Sequence, residues 1–196
     1  NIRSEVVEIG INRDLYQPPQ DKPALRKKYG IDATQRVLLH VGHIKESRNI
    51  HWLLAIKEAM PELHVVLVGS TATEQDDRLR LQLEAANIQV MRDYNPNIHE
   101  IYQLADIYCF PVLLDDAAME TPLSVLEAMS TNLPVITTPF GRLTEQFSDD
   151  DSYRYFSTVE QAIELLQSDF GANCANREKT EPYSWRATAE RLLVNN

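Results

Sequence analysis

The stretch VLLHVGHIKESRNIHWLL (37–54) decides the fold, because it joins two hydrophobic patterns through a polar turn. Its first, largely apolar run ends at Gly42 without regular alternation, as expected of a strand buried on both faces. After the turn, apolar residues recur at Ile50, Leu53 and Leu54, which is the spacing of one helix face. The stretch therefore predicts a strand followed by a helix, the unit from which parallel sheets are built.

Runs of the same kind recur along the chain, at residues 64–69, 88–91, 107–112 and 134–138. Segments with helical spacing lie between and after them, with apolar faces marked by Leu79, Leu81 and Leu83, by Leu123, Leu126 and Met129, and by Val159, Ile163 and Leu166. Ahead of them, an apolar segment at 5–11 precedes a short helix, 24–30, that Gly30 closes. This alternation predicts an α/β fold with a doubly wound, Rossmann-like parallel sheet covered by helices on both faces.

Composition limits the possible functions. With 196 residues, 43% of them hydrophobic, the chain predicts a single domain, 1–196. The formal net charge of -10 disfavours nucleic acid and anionic membrane surfaces as partners. The two cysteines, Cys109 and Cys174, have neither metal-type nor redox-type spacing. Since no apolar run reaches the ~20 residues of a membrane span and no signal-peptide pattern is present, the sequence predicts a cytoplasmic protein.

The turn that follows the first strand is the first candidate site. Ligands of doubly wound folds bind beyond the carboxyl ends of the strands. After Gly42, this turn places His43, Lys45 and Arg48 just before a helix, which suits a phosphate group. The turn has neither a G-x-G-x-x-G pattern nor a Walker lysine, which disfavours dinucleotide dehydrogenases and P-loop NTPases. A solvated loop whose cations offset acids such as Glu46 is the alternative.

The helix start in METPLSVLEAM (119–129) is the second candidate site. Thr121 is a plausible N-cap, and Pro122 suits the first helical position because its missing N–H costs nothing there. The free amides of Leu123 and Ser124 would then face an anion or a hydroxyl group.

Two glutamates flank that helix start. Glu120 lies beside it, whereas Glu127 lies beyond the first turn among apolar neighbours, where the helix dipole does not account for it. A buried carboxylate needs partners, and the paired hydroxyls of a ribose would serve. The alternative is a glutamate at the helix edge that is bonded to a local lysine or to the backbone.

These features together resemble one family, the retaining glycosyltransferases with the GT-B fold, in their C-terminal, nucleotide-sugar-binding domain. The resemblance is carried by EIGINRDLYQPP (8–19), HVGHIKESRN (40–49), VVLVGS (65–70), YQLADIYCFPV (102–112), PLSVLEAMSTNLPVITTPFGRLTE (122–145) and YSWRATAERLL (183–193). It runs nearly end to end, and its Glu-Ala-Met block is the most specific part.

The resemblance implies that a nucleoside-diphosphate sugar lies across these turns. The implied donor-binding residues are Gly42, His43, Lys45, Arg48, Arg92, Met119, Thr121, Leu123, Ser124 and Glu127. Within this set, 42–48 would hold the phosphates, Glu127 would bind the ribose, and the base would lie near 91–94. The family pattern implies neither a metal nor a cofactor, so basic side chains would stabilise the departing diphosphate.

The sequence departs from the family pattern at several of these positions. In the family, seven residues lie between two glutamates. Here Met119 occupies the position of the first glutamate. Glu120, one residue nearer to Glu127, is then the predicted catalytic residue. His43 replaces the usual arginine, and Arg48 replaces the usual lysine.

The resemblance also implies a second domain. An N-terminal domain, absent from this chain, would bind a glycan or glycolipid acceptor, and the full-length enzyme could be peripheral at the inner face of the membrane. The chain alone is then expected to bind nucleotide without transferring sugar. A GT-B sugar-nucleotide epimerase and a non-catalytic nucleotide-binding module remain alternatives. No histidine occurs in a pattern typical of a general base, and His40, His51 and His64 are interpreted as structural.

Overall fold

The computed structural model describes residues 9–69, 76–114 and 118–194. These residues form a six-stranded parallel sheet from β1 (Val37–Gly42), β2 (His64–Gly69), β3 (Gln89–Met91), β4 (Ile107–Phe110), β5 (Val135–Thr137) and β6 (Tyr153–Tyr155). The spatial order is β3-β2-β1-β4-β5-β6, so the direction of strand addition reverses between β1 and β4. This is the doubly wound order of Rossmann-type folds, and the predicted fold class is confirmed.

Helices cover both faces of the sheet. They are α1 (Lys22–Lys28), α2 (Trp52–Ala59), α3 (Asp77–Ala85), α4 (Ile98–Leu104), α5 (Leu123–Ser130), α6 (Leu143–Gln146), α7 (Val159–Gln167), α8 (Asn176–Lys179) and α9 (Trp185–Val194). Because side chains alternate along a strand, β1 contributes Leu39 to one core and Leu38 to the other. The first core includes Val125 of α5, and the second includes Leu53 of α2. The sheet is therefore packed between two layers of helices.

Three strands are shorter than the apolar runs that predicted them, which were 88–91, 107–112 and 134–138. Pro111 follows β4 and Pro134 precedes β5, and proline has no N–H for a strand ladder. Ile88 is outside β3 because its N–H donates to the carbonyl of Leu83 at the end of α3, at 3.0 Å. Local hydrogen bonding, rather than hydrophobicity, thus sets these ends.

The apolar face predicted for α3 is wrong at one position. Leu79 and Leu83 are buried, but Leu81 is 57% exposed. Residues four apart share a helix face, whereas a residue two positions away points to the opposite side. The helix therefore packs through a narrower stripe than the run of leucines indicated.

The N-terminal segment contributes less to the sheet than its apolar character predicted. Of the predicted segment 5–11, residues 5–8 lie outside the described residues. Ile11 forms an isolated parallel bridge with Ser184 rather than a strand of the sheet. Further on, Gly30 has a φ of +70°, which confirms its predicted place just after α1.

Candidate functional site

A cavity of about 440 Å³ opens at the carboxyl edge of the sheet, next to the point where the strand order reverses. The ends of three strands line it through Gly42 of β1, Gly69 of β2 and Phe110 of β4. Gly42 and Gly69 are partners in the β1–β2 register, so two residues without side chains lie side by side at the opening. Ligands of open α/β sheets bind at this position, which makes the cavity the candidate site.

Arg48 is brought to the cavity by the turn after β1. It ends a short 3-10 helix, Glu46–Arg48, and the following residue, Asn49, adopts a left-handed conformation with a φ of 54°. The side-chain amide of Asn49 donates a hydrogen bond of 3.0 Å to the carbonyl of Pro111. This bond ties the turn to the end of β4, so the guanidinium group is carried on a fixed support.

Among the described residues, no acid neutralises the charge of Arg48. The side chain is half-buried, and no aspartate or glutamate of the described residues forms an ion pair with it. Burial lowers the pKa of the guanidinium from its ordinary value, which still leaves an arginine charged at neutral pH. A desolvated cation beside a cavity favours an anionic ligand.

His43 and Lys45 differ in their relation to the same cavity. His43 lines it, and burial, followed by the charges of Arg48 and Lys45, lowers the pKa of the imidazole. The ring is therefore neutral at pH 7 and acts as a hydrogen-bonding group rather than as a cation. Lys45 is exposed and is not among the lining residues, so its predicted support for phosphate binding stays a prediction.

The start of α5 supplies backbone donors, although its cap differs from the predicted one. Pro122, rather than Thr121, is the N-cap residue, and the Thr121 hydroxyl instead donates to Gln146 at 3.2 Å. The helix ladder begins at the amide of Val125, which donates to the Pro122 carbonyl at 3.1 Å.

The amides of Leu123 and Ser124 precede that first bond, and both residues line the cavity. The first amides of a helix have no partner within the helix and carry the positive end of its dipole. They form a second group of donors at the cavity, in addition to Arg48.

Glu127 is held by two tyrosines rather than by a lysine or the backbone. The Tyr102 hydroxyl donates to Glu127 Oε2 at 2.8 Å, and Tyr16 also hydrogen bonds to the carboxylate. Burial raises the pKa of Glu127, and the hydrogen bonds from the two phenols oppose that rise. The rings of Tyr16 and Tyr102 meet edge to face, with centroids 5.4 Å apart. No sequence spacing links these three residues, so the contact was not predicted.

The predicted donor-binding residues divide into two groups. The cavity is lined by Gly42, His43, Arg48, Met119, Leu123 and Ser124. Those outside its lining are Lys45, Arg92, Thr121 and Glu127. Glu127 lies four residues beyond Leu123 on the same face of α5, one turn farther from the opening. Its predicted role at the ribose stays a prediction.

Met119 and Glu120 are neighbours at this edge of the sheet, but only Met119 lines the cavity. Met119 is 52% exposed and lines the cavity, whereas Glu120 is exposed and lies outside the lining. The Glu120 carbonyl accepts the Arg142 amide at 2.9 Å, next to Gly141, whose φ is +51°. This backbone contact holds the loop ahead of α5 against the turn after β5. The catalytic role of Glu120 stays a prediction.

The side of the cavity predicted to hold the base is formed by residues slightly farther along the chain. Asp93 and Tyr94 line it, whereas Met91 and Arg92 do not. Tyr94 is 80% exposed and offers an aromatic face at the rim. Asn95, which also lines the cavity, lies just past the predicted segment 91–94.

Metal-ligand clusters and membrane-spanning helices are both absent from the described residues. In the ranges 9–69, 76–114 and 118–194, no group of three His, Cys, Asp or Glu side chains is placed to hold a metal ion. Over the same part of the chain, the helices fall short of the length and apolar character needed to cross a bilayer.

The fold agrees with the comparison with known families. The chain belongs to the family Glycosyl transferases group 1, whose model matches residues 21–168. The predicted family is therefore confirmed.

Individual relatives are distant in sequence and close in fold. The chain is 25% identical over 206 residues to the D-inositol 3-phosphate glycosyltransferase of Mycobacteroides abscessus, covering 97% of this chain and 45% of that protein. Sucrose-phosphate synthase from Thermosynechococcus elongatus superimposes with a TM-score of 0.80 at 20% identity, over 97% of this chain and 51% of that one. The Anabaena protein Alr3699/HepE, solved with UDP and glucose, superimposes with a TM-score of 0.76 at 17% identity, over 97% of this chain and 56% of that one. The chain thus spans about half the length of the relatives it matches.

Proposed function

We propose that this chain is the part of a glycosyltransferase that binds the nucleoside-diphosphate sugar donor. The observation that carries the proposal is the convergence of Arg48 and the first amides of α5 on one cavity at the switch point of the sheet. A guanidinium and helix N-terminal amides form a phosphate site in which both groups donate hydrogen bonds. The HepE structure that resembles this chain is described as a complex with UDP and glucose, which supports the ligand class.

The proposed chemistry is departure of the nucleoside diphosphate from the sugar, with retention at the anomeric carbon. As the bond to the sugar breaks, negative charge grows on the diphosphate. Arg48 has no acidic partner among the described residues, so its charge is available to stabilise the departing diphosphate. The amides of Leu123 and Ser124 are fixed by α5 and need no rearrangement to donate. His43, which is neutral, donates or accepts a hydrogen bond at the same edge.

The nucleoside is proposed to lie toward the opposite side of the cavity. Asp93, Tyr94 and Asn95 line that side and present polar groups together with an aromatic ring. The ribose would then approach α5, where Glu127 lies one turn beyond Leu123. The two tyrosines fix the orientation of the Glu127 carboxylate before any ligand arrives.

The acceptor is proposed to be a glycan or a glycolipid, bound by another part of the whole enzyme. Transfer requires donor and acceptor in reactive geometry, which supplies a large share of the rate in any two-substrate reaction. The residues proposed to bind the donor all lie in this chain. We therefore expect the chain of 196 residues to bind nucleotide and not to transfer sugar.

Calorimetry with the 196-residue chain tests the proposal. The titrants are UDP, GDP and ADP, each beside its nucleoside. One diphosphate should bind measurably and more tightly than its own nucleoside, because Arg48 and the α5 amides contact only the phosphates. Equal affinities within every pair, or no binding at all, would contradict the proposal. A product assay on the whole enzyme, with and without acceptor, then separates transfer from epimerisation.

A further inference from the structure

His40 lies in β1, two residues before Gly42 of the cavity lining, and its side chain is fully buried. Its Nδ1 is 2.9 Å from the carbonyl oxygen of Cys109. A carbonyl oxygen only accepts hydrogen bonds, so Nδ1 carries the proton in this contact. In the neutral ring, Nε2 therefore presents a lone pair.

That lone pair has no hydrogen-bond partner among the described residues. It faces the space beside Gly42, since a Cβ placed on Gly42 would lie 2.9 Å from His40 Nε2 and 3.1 Å from Arg48 Nη1. The imidazole nitrogen and the guanidinium nitrogen thus both lie close to one point beside Gly42. A glycine keeps that point open, and a larger residue would crowd both groups.

The electrostatics of His40 suit an acceptor for an arginine. Burial, together with the charge of Arg48, lowers the pKa of His40 to about 4, against the opposing bond to Cys109. The ring is uncharged at neutral pH and does not repel the guanidinium. A carboxylate in the same place would orient Arg48 but would also cancel its charge. A neutral acceptor orients the guanidinium and leaves that charge available to a ligand.

We propose that His40 is a positioning residue: its Nε2 accepts a hydrogen bond from Arg48 when the guanidinium binds the diphosphate. This bond directs the remaining N–H groups of Arg48 into the cavity. The inference rests on the proposed function, because it assigns a bound anion to Arg48. It also revises the interpretation of His40 as a purely structural histidine.

A pair of substitutions isolates the Nε2 position. Asparagine places its amide near Nδ1, so His40→Asn keeps a donor for Cys109 and loses the acceptor beside Arg48. Glutamine is longer, so His40→Gln places an amide oxygen near Nε2. We expect His40→Asn to weaken UDP binding about tenfold, which corresponds to ~1.4 kcal/mol, and His40→Gln to retain most of the affinity. The affinity for uridine should stay unchanged in both.

Two further variants separate positioning from a general effect on the fold. His40→Phe keeps a ring beside Tyr108 and Phe110, whose centroids lie 6.4 and 6.3 Å away, and removes both nitrogens. It should weaken UDP binding in the native protein but not in Arg48→Ala, because a positioning residue has no effect once its target is gone. The matched control is His64→Phe at the amino end of β2, which should leave UDP affinity unchanged.

The results distinguish failure of the proposed function from failure of the proposed role of His40. If none of UDP, GDP and ADP binds the unsubstituted chain, the proposed function fails. If GDP or ADP binds in place of UDP, that diphosphate and its nucleoside replace UDP and uridine in these measurements. If UDP binds and Arg48→Ala weakens it, but His40→Asn and His40→Phe do not, the proposal for His40 alone is overturned. Additive losses in the double variant, or equal losses of UDP and uridine, would also overturn it. Should His40→Phe fail to fold, the comparison of asparagine with glutamine still decides.

Discussion

Arg48 and Glu127 are both ionisable, and both lie near the carboxyl edge of the sheet, but their surroundings differ. Arg48 lines the cavity and has no acidic partner among the described residues. Glu127 lies outside the lining and is held by the hydroxyls of Tyr102 and Tyr16. The Arg48 charge is available to a ligand, whereas the Glu127 carboxylate already has hydrogen-bond partners within the protein. The difference predicts that substitution of Arg48 affects ligand binding more than stability, and that substitution of Glu127 lowers the stability of the fold.

The largest expected effect is on binding at Arg48. Arg48→Ala should weaken UDP binding by ~1.5–3 kcal/mol, roughly 10- to 150-fold, because hydrogen bonds to a charged group are lost. Uridine should bind nearly as before, since it carries no phosphate. Calorimetry measures both affinities, and Arg80→Ala on α3, whose partners are Asp77 and Glu84, is the matched control. Equal losses for UDP and uridine would indicate a fold defect instead.

The next effect is on stability at Glu127. Glu127→Ala leaves the buried hydroxyls of Tyr102 and Tyr16 without their acceptor, which should lower the free energy of unfolding by ~1–3 kcal/mol. Urea unfolding followed by circular dichroism measures the change. Glu120→Ala, on an exposed side chain of the same loop region, should change stability far less. An unchanged midpoint in Glu127→Ala would show that the tyrosine contacts contribute little.

A smaller effect is expected at Gly42. Gly42→Ala places a methyl group 2.9 Å from His40 Nε2 and 3.1 Å from Arg48 Nη1, so at least one of them must move. The His40 ring is fixed by its bond to Cys109, so the guanidinium should shift. We expect UDP affinity to fall about 3- to 10-fold, equivalent to ~0.7–1.4 kcal/mol. Native affinity in Gly42→Ala would mean that the position of Arg48 is not sensitive to this space.

The smallest effect is a change in the pH dependence of stability. Burial raises the pKa of Glu127 above its ordinary value, so the folded state holds this proton more tightly than the unfolded state does. The resulting stabilisation is complete below the unfolded pKa and is lost as the pH rises through the folded one. In Glu127→Gln, the side chain at this position carries no titrating proton. Its free energy of unfolding relative to the native protein should therefore increase from acidic to neutral pH, and a constant difference would contradict this account.

Local patterns in the sequence predicted the parts of the fold and site that depend on neighbours along the chain. The apolar run before Gly42 and the basic turn after it identified β1 and Arg48. Contacts between distant segments could not be predicted in this way. Tyr102 and Glu127 are 25 positions apart, and no spacing relates them. β6 was missed because Tyr153–Tyr155 is a short edge strand preceded by a run of aspartates, a composition typical of a loop.

The hydrogen-bonding partners of a buried side chain could not be predicted from the sequence either. His40 reads as one polar residue in an apolar run, and its interpretation as structural followed from that setting. Its role depends on which ring nitrogen is already bonded, and that is set by Cys109 on the neighbouring strand. Likewise, Glu127 was recognised as a buried acid that needs partners, but only the packed structure shows that tyrosines supply them.

A crystal structure of the 196-residue chain soaked with UDP tests the central claim most directly. The account predicts the diphosphate between the Arg48 guanidinium and the amides of Leu123 and Ser124, with the uracil toward Tyr94. It also predicts that Arg48 moves within hydrogen-bonding distance of His40 Nε2. UDP bound elsewhere, or in this cavity with its phosphates away from Arg48, would contradict the account.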